Sequence, residues 1–377
     1  MKLLDLIAAL GVTQVALAAP LEGEWGAPTP VKLEDIEPKF FKDLGSKRAR
    51  AYYGPYVVPS SEDHETHGMQ MFPDMNILLP CHDCLITSFT ADLQYEGGKT
   101  ANANTGMWLH HNGLMNLNRS DMACEQWPER MSVNGNERSV FDYTNNGARK
   151  AGYYLRKGEQ VFLVTEVMNM QKEPKTVYMV MEWEYIPTTP KDFDIVFPIW
   201  LDVKGNCLNE TNGVAKEDGI FTAKAATGWT SKYSGDLILA VSHIHDGNTK
   251  QDIFMDGKLV CSSVPAYGET AEFVSHAESD GHGHDHGESE HIYHVSSITQ
   301  CQNVSKVVPG SHFSITSYYD YEKHVPMKDH DGGLEPIMGI QFLHLARPQE
   351  EALKHIAEGK PGDLDAFRNR NNGKGGE

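Results

Sequence analysis

In Asp236-Leu-Ile-Leu-Ala-Val-Ser-His-Ile-His-Asp-Gly-Asn248, the apolar residues Leu237, Leu239 and Val241 fall at every second position, and His243 and His245 continue the same phase. A strand turns alternate side chains to opposite faces, so all five are expected on one face, with Asp246-Gly247-Asn248 as the turn that ends it. Two imidazoles therefore extend an apolar face. A buried imidazole needs a hydrogen-bond acceptor, solvent at the strand end, or a shared metal. A metal accounts best for the i, i+2 spacing, with two satisfied or exposed histidines as the plain alternative.

Runs of the same period recur at Asn76–Leu79, Leu85–Tyr95, Gly106–Leu109, Gln160–Met170 and Thr176–Ile186. In the last, Val177, Met179, Met181 and Trp183 take one face while Glu182 and Glu184 take the other, the pattern of a half-buried antiparallel strand. Pro187-Thr-Thr-Pro190 breaks the series, and a second begins near Ile195: Leu237–His245, Asp252–Met255, Lys258–Cys261, His312–Tyr319 and Ile337–Leu345, with Asp256-Gly257 as a hairpin turn. The 377 residues exceed one ordinary core. The expected fold is all-β, two tandem antiparallel β-sandwich (jelly-roll-like) domains over residues 76–190 and 191–347. A proline- and charge-rich N-terminal arm, residues 19–75, should pack loosely on the first. Within it Lys47-Arg-Ala-Arg50 is a candidate processing site. Residues 348–377 should start with a short helix, covering an edge with Ala352, Leu353 and Ile356, and end in a disordered tail.

Residues 1–18 combine a lysine, an apolar stretch and an Ala16-Leu17-Ala18 end, which fits a cleaved signal peptide and predicts a secreted, extracellular product. No later stretch is long and apolar enough to span a bilayer. The sequons at Asn118, Asn209 and Asn303 agree with a secretory route. Six cysteines suggest up to three disulfides. Cys261 and Cys301 are the preferred pair because they flank one insertion between predicted strands, and Cys81 or Cys84 is expected to join Cys124; full connectivity does not follow from the sequence. A formal charge of -19 repels nucleic acid and anionic membrane surfaces.

Candidate metal ligands occur in both halves. Met338 shares a face with Ile340 and Phe342 and points inward, either as packing or as a soft ligand that with His243 and His245 would suit copper. In Trp108-Leu-His110-His111-Asn-Gly113 the adjacent histidines would face opposite ways on a regular strand, so both can hold one metal only at a bulge or strand end. A histidine-rich stretch, residues 276–294, contains His282, His284 and His286 and reads as a solvated loop or a loose metal-capture tract. The sequence displays no Ser-His-Asp or Cys-His catalytic arrangement, no Gly-rich phosphate loop and no patterned carboxylate pair, which ranks hydrolases and nucleotide enzymes low.

Together, Trp108-Leu-His-His111, His243-Ile-His-Asp-Gly247, Asp256-Gly-Lys-Leu-Val-Cys261-Ser-Ser, Thr299-Gln-Cys301 and Ile337-Met-Gly-Ile340 resemble the plant stress-up-regulated nodulin family and its microbial relatives. More distantly they resemble the type II copper, ascorbate-dependent monooxygenases such as peptidylglycine hydroxylating monooxygenase. That resemblance, over roughly residues 76–346, implies two copper sites: His243, His245 and Met338 where oxygen is activated, His110 and His111 where electrons enter. The third ligand of the second site would be a histidine on a later strand, where this chain has Met168 and Met170. A thioether biases such a site towards copper(I). Three classes of function follow: a copper-dependent oxidoreductase with a small-molecule or peptide substrate and an external reductant, a metal-binding protein using the same ligands, or a stress- or wall-associated scaffold.

Overall fold

The computed structural model describes residues 32–207, 219–276, 291–328 and 333–359. The signal segment, Asn209, the tract His282, His284 and His286, and the Gly-rich end lie outside them. The strands of the first half are β1 (Lys32–Ile36), β2 (Lys47–Val58), β3 (Met69–Asp74), β4 (Cys84–Tyr95), β5 (Met107–Ser120), β6 (Pro128–Asn134), β7 (Phe141–Asp142), β8 (Ala151–Leu155), β9 (Val161–Asn169) and β10 (Lys175–Ile186). Those of the second are β11 (Asp194–Asp202), β12 (Ile220–Ala223), β13 (Trp229–Thr230), β14 (Gly235–Ile244), β15 (Asn248–Met255), β16 (Lys258–Ser263), β17 (Pro265–Tyr267), β18 (Val274–His276), β19 (His291–Tyr293), β20 (Val295–Ile298), β21 (Cys301–Val307), β22 (His312–Asp320) and β23 (Gly339–Arg347). One α-helix, α1 (Gln349–Glu358), follows. The fold is all-β, with sheets whose strand pairs are antiparallel except for one, and a short C-terminal helix.

A ten-stranded sheet runs through both halves in the order β1-β2-β10-β4-β8-β11-β23-β14-β21, with β7 beside β4. Its halves join where β8 and β11 pair in parallel, Asp194 opposite Ala151. Gly152 permits close approach there, since a Cβ would lie 2.8 Å from the Ile86 carbonyl. A four-stranded sheet, β3-β9-β5-β6, packs on the first half, and a five-stranded sheet containing β12-β22-β15-β16 packs on the second.

Strands β11, β14 and β23 are buried on both faces. Val196, Trp200, Leu239, Val241, Ile340 and Phe342 join the larger core, whereas Ile195, Phe197, Leu237, Ala240, Leu343 and Leu345 join the second. That explains their nearly continuous apolar sequence. It also corrects one expectation: a bulge between Leu237 and Leu239 turns Leu237 onto the opposite face, leaving Leu239, Val241, His243 and His245 directed at the first half.

Several boundaries differ from the sequence reading. Asn76–Leu79 forms no strand, although Ile77 and Leu79 are buried, because the ladder is made earlier by β3 against β9. Residues 32–74 supply three strands instead of loose chain. Lys47-Arg-Ala-Arg50 lies inside β2, where Arg48 and Arg50 pair with Glu182, so it is an ordered ladder segment. On α1, Ala352 and Ile356 are buried while Leu353 faces solvent. The disulfides are Cys261–Cys301, as expected, and Cys81–Cys84 and Cys124–Cys207, which replace the anticipated bond to Cys124. Separation along the chain, 83 residues for Cys124–Cys207, hid that partner. Asn118 is half-buried and Asn303 exposed. Among the described residues no helix is long and apolar enough to cross a membrane.

Candidate metal centre

The adjacent histidines sit at a bulge. On β5, Leu109 pairs with Val167 and His111 with Glu166, so His110 is the extra residue and both rings fall on one side. A single oxygen of Glu166, Oε2, accepts from His110 Nδ1 at 3.0 Å and from His111 Nδ1 at 2.7 Å. Strand β14 brings the second pair across the interface between the sheets: His243 Nδ1 donates to Glu137 Oε1 at 2.8 Å, and His245 Nδ1 donates to the Pro336 carbonyl at 2.8 Å. All four rings are buried.

Every Nδ1 is thus committed to an acceptor, and every Nε2 is left for something else. The Nε2 atoms of His110 and His243 are buried without a hydrogen-bond partner. Those of His111 and His245 face each other at 3.2 Å. The Pro336 carbonyl can only accept, so His245 carries its proton on Nδ1 and a lone pair on Nε2. Burial, then the charge of His110, pushes the His111 pKa down to about 3, so it too is neutral with Nε2 bare. Two lone pairs cannot hydrogen-bond to one another. Neighbouring ligand atoms on a tetrahedral ion about 2.0 Å from each would stand about 3.3 Å apart, which fits the observed spacing. One ring nitrogen from each of His110, His111 and His245 lies within 4.8 Å of the other two.

The surrounding charges favour a cation. Burial would raise Glu166, but the charge of His110 and the hydrogen bonds from both rings outweigh it and hold the carboxyl at about 2. Burial likewise acts to lower His110, yet Glu166 raises it above its ordinary value. His245 is held well below the usual imidazole range by burial and by its three histidine neighbours. Gly135 is required by crowding: a Cβ would lie 2.7 Å from His243 Cε1 and 2.8 Å from the His110 carbonyl.

A small cavity opens on this cluster, lined by Trp108, Asn136, Ile244, Val295 and Met327 beside His110, His243 and His245. Met338 does not line it. It is fully buried in the larger core with Ile340 and Phe342, on the sheet face where Ile340 pairs with His243. Met168 stands opposite Trp108 and packs, half-buried, with Trp108, Met170 and Met327, while Glu166, two residues earlier, faces the histidines. The sequence reading did not single out Glu166 or Glu137. A Glu two residues before Met168, on the same face of the strand, was the available signal.

Residues 202–347 match the profile of the family described as Stress up-regulated Nod 19. The chain is 31% identical over 303 residues to the probable copper-dependent oxygenase M1 of a Phoma species, covering 80% of this chain and 73% of that protein. The chain belongs to this family. A further relative of this Nod 19-family chain is the probable copper-dependent oxygenase clz3 of Cochliobolus lunatus, 31% identical over 260 residues, 68% of this chain and 78% of that protein. A solved structure of PNGF-II covers 80% of this chain and 65% of its own at a TM-score of 0.38 and 10% identity, too slight a likeness to carry an argument.

Proposed function

We propose that the protein is a secreted copper-dependent oxygenase that holds copper where its two histidine pairs meet. The observation that carries this reading is the pair of bare Nε2 atoms of His111 and His245, 3.2 Å apart, with the His110 ring beside them. Imidazole is a ligand suited to copper in either oxidation state. Copper would supply one-electron redox chemistry for the use of dioxygen, with an external reductant and a small-molecule or peptide substrate. His110, His111 and His245 are the primary ligands, His243 borders them, and Met338 is a soft donor on the His243 side. The two relatives, probable copper-dependent oxygenases, support the same chemistry. Three disulfides and the signal-like first 18 residues support secretion.

The chain's own groups have separable tasks. Glu166 and Glu137 fix the ring orientations and keep each Nδ1 protonated, as outer acceptors of metal-binding histidines do. Trp108, Ile244, Val295 and Met327 give the cavity an apolar wall that limits water. In the same wall Asn136 Oδ1 is buried without a partner, an acceptor for a hydroxyl or amide of the substrate.

Elemental analysis of the protein, stripped by a chelator and resupplied with copper, tests the reading. One tightly held copper per chain is expected, with ascorbate-supported oxygen consumption that depends on it, and both should disappear in His245→Ala. No retained copper in the wild type would remove the proposal, and copper without oxygen consumption would leave a metal-binding protein. Replacing Met338 by Leu roughly conserves volume and is expected to cost less than about 1.5 kcal/mol in a denaturant titration. Loss of its sulfur should weaken copper(I), the softer ion, while copper(II) binding changes little. Unchanged copper(I) affinity in that variant would reduce Met338 to a packing residue.

A further inference from the structure

The last histidine of the His-rich stretch is buried at the metal centre. His294 follows β19, which pairs with β18, and its ring is buried, so this end of the stretch is structured instead of being a solvated loop. Its Nδ1 donates to Asp246 Oδ2 at 2.7 Å, and its Nε2 lies 2.8 Å from Ser275 Oγ. The other Asp246 oxygen accepts from the backbone N–H of Val295 at 3.0 Å. The ring makes an edge-to-face contact with Trp108, centroids 4.0 Å apart and planes at 89°.

Each of these contacts has an address at the metal centre. Asp246 is the residue after His245, and Trp108 precedes His110 by two residues on β5. His294 therefore touches both ligand-bearing segments at once, one through a charge-assisted hydrogen bond and the other through a ring contact. Main-chain bonds fix it in turn: the His294 N–H donates to the Phe273 carbonyl, and the Gly268 N–H donates to the His294 carbonyl. No potential metal donor on His294 is left over, because both ring nitrogens are engaged.

We propose that His294 is a positioning residue for the metal centre. Clamped by Asp246 and Ser275 and set against Trp108, it fixes the separation of the His110–His111 pair from His245, and the paired strands β18–β19 and β17–β20 on either side of it form the brace that delivers it. This rests on the copper reading for its metal arm only. Aspartate, histidine and serine here have the hydrogen-bond order of a nucleophilic triad, but Ser275 is fully buried and does not line the cavity, which assigns the chain of bonds to bracing.

The experiment compares the full-length wild type with His294→Ala and His294→Asn, the latter retaining an N–H donor for Asp246. With copper(II) bound, the Ala variant should show an altered paramagnetic resonance spectrum and an affinity about 10–100-fold lower, and Asn should restore most of both. In the metal-free proteins, amide hydrogen exchange at residues 246–248 and 108–110 should quicken about tenfold in Ala and much less in Asn. The wild type alone failing to bind copper would overturn the functional reading, and the exchange measurement would still decide this one. Unchanged exchange in His294→Ala, or an unchanged copper spectrum where the wild type binds, would overturn the brace. So would covalent labelling of Ser275 by a fluorophosphonate, which would make it a nucleophile.

Discussion

Glu166→Gln should lower copper affinity about 10–100-fold, equivalent to about 1.4–2.7 kcal/mol, while leaving the protein folded. One carboxylate oxygen accepts from both His110 and His111, so a single substitution disturbs two rings at once. The amide that replaces it keeps one acceptor oxygen and adds an NH2 group that cannot accept. That oxygen can still face both rings, but as a neutral acceptor it holds each Nδ1 proton less firmly than a carboxylate does, so the tautomer that leaves Nε2 bare for the metal is less favoured. The buried negative charge that helps offset a cation in this site is also lost. Glu137→Gln should have a smaller effect, since Glu137 holds only His243. Competition against a copper chelator of known affinity, with circular dichroism as the control for folding, measures both. Equal affinity in wild type and Glu166→Gln would mean that the two rings are oriented by packing alone.

The legible parts of this molecule are those governed by period two. His243 and His245 were readable as one face because nothing interrupts the strand between Leu239 and Ile244, and the need for a bulge at His110–His111 followed from adjacency alone. What escaped was register. The bulge on β5 makes Glu166, instead of Thr165, the cross-strand partner of His111, and the bulge on β14 moves Leu237 into a different core. A bulge inserts one residue without a composition signal, so its position is decided by contacts across the sheet.

Long-range pairing was hidden for a related reason. The ten-stranded sheet is closed between the halves by only two paired positions of β8 and β11, and nothing local to Ala151-Gly152 or Asp194-Ile195 announces them. Strand β2 carries Gly54 and Pro55, turn-like residues that concealed a ladder extending from Lys47 to Val58. The outer acceptors of the histidines were equally silent. Glu137 lies just after β6 in Asn134-Gly-Asn-Glu137, a sequence that reads as a turn, and only the packing of Gly135 against His243 shows why it is there.

At the far end of β5, Arg119→Met is expected to destabilise the protein by about 3–5 kcal/mol, because it strands buried carboxylates without their counter-charge. Arg119 Nε and one terminal nitrogen each reach Glu159 at 2.8 Å, the guanidinium lies 4.9 Å from the centre of the Tyr153 ring, and Glu129, hydrogen-bonded by Tyr153, is 3.9 Å away. Asn116 donates to Glu159 and to the Tyr153 hydroxyl, so the cluster is continuous with the strand that carries His110 and His111. The loss should depend on pH in a direction that can be stated. Burial, opposed by Arg119, pushes the Glu129 pKa from 4.5 up to about 7. A carboxyl raised in this way binds its proton more tightly in the folded state, so its contribution is fully present below 4.5 and is lost as pH rises through about 7. Removing Arg119 takes away the charge that lowers Glu129 and should widen that window upward. Urea titrations of both proteins between pH 4 and pH 8 should therefore show the smallest difference at the acid end, where Glu129 tends towards its neutral form, and the largest at the alkaline end. A difference of the same size at every pH would mean that Arg119 stabilises the strand by packing its stem, and that the buried carboxylates find other partners.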